Sequence, residues 1–179
     1  MIRRINLFAG PCSGKSSLAA HIFSEFKKES VKIELVQEEA KEWAYEGRKI
    51  TKYDQLTLFA AQMRKEDLAL RNGSELIVSD SPIMLAICYA KKYGFNCCES
   101  LYEIAKNFEE DYPSINIFLE RNGGDYQKEG RYETYIEALH MDFLIKEYLI
   151  ERNIKYNSSD FKNWEKIMSH IRRNIREKM

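Results

Sequence analysis

The chain has 179 residues, of which 44% are hydrophobic and 31% are charged. This length fits one folded domain spanning residues 1–179, and the composition argues against a disordered chain. The 28 basic and 28 acidic side chains give a formal net charge of zero, which disfavours a protein that binds duplex nucleic acid through its overall charge.

The four cysteines and three histidines follow no spacing typical of a zinc site or a disulfide framework. The longest apolar run, Ile83 to Ala90, is far below the ~20 residues that a membrane span requires. We therefore expect a cytoplasmic protein with reduced cysteines and no membrane partner.

Hydrophobic periodicity predicts an alternation of strands and helices. In chain order, the predicted elements are a strand Ile2–Ala9, a helix Lys15–Glu29, a strand Lys32–Gln37, a short helix Glu38–Gly47, a helix from Asp54 to about Leu70, a strand Glu75–Asp80, a helix from Ser81-Pro82 to about Tyr93, a helix Glu99–Glu110, a strand Ile115–Leu119, a helix Glu133–Arg152, a short strand Ile154–Asn157 and a C-terminal helix. Such alternation predicts a parallel sheet with helices on both faces, which binds ligands beyond the carboxyl ends of its strands.

Two aspartates are expected to mark the starts of helices, and one apolar stripe is expected to mark the core-facing side of the last helix. Asp54 and Asp160 are expected to cap the helices that follow them. The stripe of the last helix faces the core and consists of Phe161, Trp164, Met168, Ile171 and Ile175.

The segment from Ala9 to Ser16, AGPCSGKS, fits the phosphate-loop pattern G-x-x-x-x-G-K-[ST], with alanine in place of the first glycine. Lys15 would reach the β- and γ-phosphates of ATP, and the Ser16 hydroxyl would bind Mg²⁺. The alternative is a glycine-containing turn without a ligand. The expected nucleotide-binding residues are Gly10, Pro11, Cys12, Ser13, Gly14, Lys15, Ser16 and Ser17.

Asp80 ends the apolar strand that precedes Ser81-Pro82. An acid at this place completes the Mg²⁺ shell in phosphate-loop enzymes, although an aspartate here can also cap the next helix. Because Ser81 follows instead of a water-activating glutamate, transfer to a substrate is favoured over plain hydrolysis.

Side chains between the second and third predicted strands are candidates for binding a phosphoryl acceptor. Glu38 follows a strand end and could accept a hydroxyl proton, or it could be a solvated acid at a helix start. Trp43 could stack on a base or pack in the core, and Gln62 could bind a base edge or be exposed.

The polar segment from about residue 120 to 132 contains Gly123, Gly124 and Gly130 and is predicted to be a loop or lid. Arg121 and Arg131 flank it. Arginines on a lid can neutralise charge on a transferred phosphoryl group, whereas the alternative is a basic surface loop.

These segments together resemble the NadR-like AAA-domain group of small phosphate-loop kinases, which is common in bacteria and phages. The resemblance rests on AGPCSGKSS, on VQEEAKEWAYEGR from Val36 to Arg48, on Gln62 with Arg64, on IVSDSP and on FLERNGGDYQKEGR. It implies ATP and Mg²⁺ as cofactors and a nucleoside-like acceptor bound by Glu38, Trp43, Gln62 and Arg64. The expected fold is an α/β three-layer sandwich around a five-stranded parallel sheet of order 2-3-1-4-5, with a lid.

Glu38 followed by Trp43 also resembles the E-x-x-x-x-W stretch of deoxyribonucleoside kinases, in which the glutamate acts as base. Asp80 is similar in place to an acidic residue near the acceptor, so the base is either Glu38 or Asp80. The expected catalytic residues are Lys15, Glu38, Asp80, Arg121 and Arg131.

The predicted function is therefore ATP-dependent phosphoryl transfer to a nucleoside- or nucleotide-like small molecule. Two alternatives stay open at this point. One is a kinase that acts on a modified base in DNA, and the other is an ATP-hydrolysing switch or binding module.

Overall fold

The computed structural model describes residues 1–121, 126 and 131–176, without the side chain of Arg176. In chain order its elements are β1 (Arg4–Phe8), α1 (Lys15–Lys28), β2 (Ile33–Val36), α2 (Ala40–Tyr45), α3 (Asp54–Arg71), β3 (Leu76–Ser79), α4 (Ile83–Lys92), α5 (Cys98–Asp111), β4 (Ser114–Glu120), α6 (Tyr135–Glu151), β5 (Asn157–Asp160) and α7 (Trp164–Arg176).

The five strands form one parallel sheet in the order β2-β3-β1-β4-β5, which confirms the predicted order. β1 is central, and its Asn6 is in register with Ser79 of β3 and with Asn116 of β4. The carboxyl ends of β1, β3 and β4 therefore meet at one edge of the sheet, where the phosphate loop follows β1.

Helices cover both faces of the sheet, as predicted. Ile5 and Leu7 of β1 belong to an apolar cluster with residues of α1 and α7. Phe8 of β1 belongs to a second cluster with residues of α3, α4, α5 and α6. Alternate side chains of a strand point to opposite faces, so β1 is buried on both sides, as expected of a central parallel strand.

The last strand begins three residues later than the sequence predicts. Ile154 and Tyr156 pack against the apolar cluster that contains Phe118. The polar segment Asn157–Asp160 instead forms β5 and pairs with Ile117–Glu120 of β4. The apolar side chains that suggested a strand thus pack against the cluster that contains Phe118 of β4, while main-chain pairing falls on polar residues.

Two predicted helix caps are corrected as well. Asp54 is the first residue of α3 rather than its cap, and its carboxylate accepts hydrogen bonds from the Thr51 backbone N–H and hydroxyl. Asp160 lies in β5, and its Oδ1 accepts from the Lys162 N–H. At the start of α7, Asn163 Oδ1 accepts from the Lys166 N–H at 3.3 Å.

Phe161 also departs from its predicted place in the stripe of the last helix. It precedes α7, which begins at Trp164, and the two aromatic rings meet edge to face with centroids 6.0 Å apart.

Most of the predicted lid at residues 120–132 lies outside the described residues. Arg121, Tyr126, Arg131 and Tyr132 are described, and the Tyr132 hydroxyl donates to the Arg48 carbonyl at 2.6 Å. Among the helices of the described residues, each is too short or too polar to cross a bilayer.

Candidate active site

The phosphate loop connects β1 to α1 and curls around its own lysine. Lys15 Nζ donates to the carbonyl oxygens of Ala9 and Gly10, both at 2.8 Å, and Ser13 Oγ donates to the Gly10 carbonyl at 2.9 Å. Burial lowers the pKa of Lys15, while the nearby carboxylates of Glu38 and Asp80 oppose that shift. Its ammonium group therefore lies in a buried position where an anionic ligand would replace the carbonyl contacts.

Two glycines of the loop are required by close packing. A Cβ on Gly10 would lie 2.6 Å from the Ala138 carbonyl oxygen of α6. A Cβ on Gly14, whose φ is +84°, would lie 2.1 Å from the Phe161 ring. Neighbouring elements thus contact the loop from two sides, and only glycine fits at either position.

Arg121 and Asp142 hold the loop from the end of β4 and from α6. Arg121 donates to the carbonyls of Pro11 and Cys12 at 2.8 and 3.1 Å, and to Asp142 Oδ2 at 2.8 Å. Asp142 Oδ1 accepts from the Gly10 N–H at 2.6 Å. The Arg121 guanidinium thus contacts the backbone of the loop directly.

The side chains predicted to hold Mg²⁺ lie in direct contact. Ser16 Oγ donates to Asp80 Oδ2 at 2.6 Å, and Asp80 Oδ1 accepts from the Glu38 N–H at 3.0 Å. α4 begins after Pro82, so Asp80 lies outside its first turn and does not act as its cap. A hydroxyl and a carboxylate oxygen are the ligands that Mg²⁺ prefers when phosphates and water complete its shell. The donor set at this point therefore fits that ion.

One cavity extends from the phosphate loop to α3 and α4. Ten residues that the sequence singled out line it: Pro11, Cys12, Ser13, Gly14, Lys15, Ser16, Ser17, Glu38, Gln62 and Arg131. The lining also includes residues that the sequence did not indicate, among them Gln55, Tyr89 and Glu133. The residues predicted to bind phosphate and those predicted to bind an acceptor thus line the same cavity.

The cavity lining includes the carboxylates of Glu38 and Glu133. Burial raises the pKa of Glu38, and Asp80 adds to the shift whereas Lys15 and Arg131 oppose it. Glu133 is 5% exposed and pairs with Lys92 Nζ at 2.7 Å. Burial also raises the pKa of Tyr89 well above its ordinary value, so its phenol stays neutral.

Three further predicted acceptor-binding residues lie in different surroundings. Gln62 is buried at the cavity wall, and its Nε2 donates to Ser79 Oγ at 3.3 Å. The Trp43 ring is buried beneath the Arg48 guanidinium, 3.4 Å away, and Arg64 is exposed on α3. Neither Trp43 nor Arg64 belongs to the cavity lining in the described part of the chain. The buried position of Trp43 agrees with core packing, the alternative to base stacking that the sequence left open.

Comparison with known proteins gives one family and several similar folds. A family model described as an AAA domain matches residues 4–166. No curated protein sequence gives a significant match to the chain.

Among solved structures, the NadR protein in complex with NAD and AMP-PNP superposes with a TM-score of 0.72 at 11% identity, covering 95% of this chain and 48% of that chain. The chain thus spans about half the length of NadR. Thymidylate kinase from Ehrlichia chaffeensis gives 0.66 at 13% identity and covers 97% and 98% of the two chains. The YorR protein from Bacillus subtilis, in complex with phosphorylated GDP, gives 0.58 at 19% identity and covers 97% and 95%. These similarities concern the fold.

Proposed function

Since the chain belongs to the AAA-domain family, we propose that it is an ATP-dependent phosphotransferase that moves the γ-phosphoryl group of ATP to a nucleoside-like small molecule. One observation supports the proposal most directly: Ser16 Oγ donates to Asp80, and Asp80 accepts from the backbone N–H of Glu38, whose side chain lines the same cavity as the phosphate loop. The groups proposed to hold the phosphates and Mg²⁺ therefore lie beside a residue whose carboxylate can receive a proton from an acceptor.

The residues from Gly10 to Ser17 bind the phosphates of ATP in this proposal. Their backbone N–H groups and the start of α1 favour an anion. Lys15 contributes its buried positive charge to the β- and γ-phosphates. Ser16 and Asp80 hold Mg²⁺, which when bound neutralises charge on the phosphates.

Glu38 rather than Asp80 is the proposed general base. Both carboxylate oxygens of Asp80 already accept hydrogen bonds, from Ser16 and from the Glu38 N–H. The Glu38 carboxylate accepts none within the described residues, lines the cavity and has a raised pKa. A base with a pKa nearer to neutrality is better matched to removing a hydroxyl proton.

The chemical step follows from these positions. Glu38 takes the proton of an acceptor hydroxyl, the hydroxyl oxygen forms a bond to the γ-phosphorus, and the bond to the β–γ bridging oxygen breaks with ADP as the leaving group. Arg131 lines the same cavity and offsets negative charge on the group in transfer. Arg121 contributes indirectly, because it holds the loop that positions the phosphates.

A nucleoside-like acceptor is supported by the acidic residues of the cavity lining. The carboxylates of Glu38 and Glu133 disfavour an acceptor that brings further negative charge close to them. The solved structures of similar fold include thymidylate kinase and NadR in complex with NAD, which are nucleotide-handling proteins.

The test is to incubate the protein with Mg²⁺ and γ-labelled ATP in the presence of a panel of nucleosides and nucleotides, single-stranded DNA and no acceptor. We expect label on the hydroxyl of at least one nucleoside, and loss of that product in Lys15→Ala but not in Lys27→Ala on the exposed side of α1. Label found in inorganic phosphate alone, at a rate that no acceptor changes, would contradict the proposal and favour a nucleotide-dependent switch. Label on DNA alone would favour a kinase of DNA bases.

A further inference from the structure

A charged pair lies in the interior of the protein, between the sheet and α3. Arg4 of β1 and Glu66 of α3 have no exposed side-chain surface, and Arg4 Nε lies 3.0 Å from Glu66 Oε2. Arg4 Nη2 has no hydrogen-bond acceptor among the described residues. Moving two charges out of water often costs more than the pair regains, so apolar residues of similar volume are often as stable or more stable. Stability alone therefore does not account for this pair.

The Glu66 carboxylate contacts the chain on both sides of Asp80. Its Oε1 accepts a hydrogen bond from Ser79 Oγ at 3.3 Å. Burial raises the pKa of Glu66, while the Arg4 guanidinium and hydrogen bonds, among them one from the Ile83 backbone N–H, oppose that shift. Ser79 is the residue before Asp80 and Ile83 is three residues after it. One side chain of α3 therefore holds both ends of the short segment that carries Asp80.

The start of α4 also depends on this carboxylate. α4 begins at Ile83, and its N-cap residue, Pro82, provides no side-chain hydrogen bond. The free N–H groups at a helix start carry partial positive charge and are stabilised by a nearby carboxylate. Because Glu66 supplies that carboxylate from α3, it fixes where α4 begins relative to the end of β3.

Asp80 is the residue whose position depends on this arrangement. Its carboxylate accepts from Ser16 Oγ at 2.6 Å and from the Glu38 N–H at 3.0 Å. Metal ligands are oriented by the groups around them, and loss of such support typically lowers metal affinity by about 10–100-fold. Neither Arg4 nor Glu66 exposes any side-chain surface, so each acts on a bound ion only through the segment that carries Asp80.

We propose that Glu66, with its charge balanced by Arg4, is a positioning residue that fixes the backbone on either side of Asp80 so that this carboxylate can bind Mg²⁺. This inference rests on the proposed function, in which Ser16 and Asp80 hold Mg²⁺ together with ATP. An apolar pair in place of Arg4 and Glu66 keeps the fold but loses the control over Asp80. Stability and Mg²⁺ binding therefore respond differently to the same substitutions.

The first test separates these two responses. Arg4→Met alone leaves the buried carboxylate without its cation, so we expect the melting temperature to fall by about 6–20 °C. Adding Glu66→Leu makes the pair apolar at similar volume and should recover most of that loss. The doubly substituted protein should nevertheless need about 10-fold or more Mg²⁺ for half-maximal AMP-PNP binding in titration calorimetry. Recovery of both properties would overturn the proposal, since the pair would then be only structural.

Two further double substitutions are matched controls. Arg4→Met with Glu66→Gln keeps a hydrogen-bond acceptor without a charge, so this protein should need less Mg²⁺ than the version with leucine. Equal requirements in the two would overturn the proposal, because hydrogen bonds from residue 66 would then not position Asp80. Lys91→Met with Glu151→Leu changes an exposed pair and should leave the Mg²⁺ requirement unchanged.

Ser79→Ala decides the question if the protein with the apolar pair does not fold. This change removes only the hydroxyl that joins the end of β3 to Glu66. We expect a higher Mg²⁺ requirement for AMP-PNP binding than in the wild type. An unchanged requirement would overturn the inference.

These binding measurements also separate the inference from the function on which it rests. If AMP-PNP binds with Mg²⁺ but no acceptor receives phosphate from ATP, the phosphotransferase function fails, and the Mg²⁺ titrations still decide the role of Glu66. If phosphate is transferred and the Mg²⁺ requirement does not respond to the substitutions, the function stands and the inference fails.

Discussion

The carboxylate of Asp142 accepts a hydrogen bond from the backbone N–H of Gly10 at 2.6 Å, although 132 residues separate them in the sequence. The other oxygen of Asp142 accepts from Arg121, which donates to two carbonyls of the phosphate loop. α6 and the end of β4 therefore fix the conformation of a loop that follows β1. We expect ATP binding to depend on this support, because the loop presents its N–H groups to phosphates only when it is curled.

Asp142→Ala should weaken ATP binding by about 10-fold or more, because it removes two charge-assisted hydrogen bonds and leaves Arg121 without its carboxylate. Glu147→Ala, an exposed site on the same helix, is the control and should bind ATP like the wild type. Titration calorimetry with an ATP analogue measures both. Unchanged affinity in Asp142→Ala would show that the loop holds its shape without this support.

Glu38→Gln should abolish transfer and stabilise the protein at neutral pH. Burial raises the pKa of Glu38 in the folded state, so its stabilising contribution is complete below its unfolded pKa and is lost as the pH rises through the folded value. Glutamine does not ionise and escapes this loss. We expect the melting temperature of Glu38→Gln to exceed that of the wild type increasingly as the pH rises from about 5 to 8.

The same raised pKa predicts the acid limb of the pH–rate profile. The wild-type kcat should fall as the pH is lowered through the folded pKa of Glu38, at a higher pH than an exposed glutamate would give, because the protonated carboxyl cannot accept a proton. Measurement of kcat between pH 4 and 8 provides the check. A flat profile across that range would contradict the assignment of Glu38 as the base.

Arg131→Ala should lower kcat more than it lowers ATP affinity, by about 10²-fold or more in kcat, because Arg131 lines the cavity and is proposed to act on charge that develops during transfer. Arg64→Ala changes an arginine of α3 that is exposed and outside the cavity lining of the described residues, and it is the control. Steady-state kinetics together with direct ATP titration separate the two parameters. A loss confined to ATP binding would contradict this role.

Gly14→Ala should destabilise the protein more than Gly73→Ala. Both glycines have positive φ angles, of +84° and +95°, and only at Gly14 would a Cβ meet another group, the Phe161 ring. The backbone conformation alone costs about 1–2 kcal/mol for alanine, so the excess at Gly14 measures the contact with Phe161. Adding Phe161→Ala to Gly14→Ala should recover stability in urea denaturation, whereas strictly additive losses would rule out that contact.

The sequence predicts those parts of the fold whose signals are local. The phosphate loop, the apolar strand before Asp80 and the alternation of elements are visible as patterns of adjacent residues, and the structure confirms the strand order and the helices on both faces. The sequence predicts β5 three residues too early, because Ile154 and Tyr156 alternate like a strand and nothing local indicates that pairing with β4 begins only at Asn157.

The site residues that sequence reasoning missed depend on tertiary contacts. Asp142 is one of many charged residues in a long helix, and its role arises only because α6 packs beside Gly10. Gln55 and Glu133 lie in ordinary polar positions near helix starts, and only the folded chain shows that they line the cavity. For Trp43 the sequence allows two interpretations, because an aromatic residue after Glu38 fits a base-binding motif as well as a core position. The structure shows a buried ring.

A crystal structure of the protein with AMP-PNP and Mg²⁺ tests the proposed function most directly. We expect the triphosphate within the loop from Gly10 to Ser17, the ion contacting Ser16 and Asp80, and the γ-phosphate pointing into the cavity that Glu38 lines. A nucleotide bound elsewhere, or one whose γ-phosphate points away from Glu38, would contradict it.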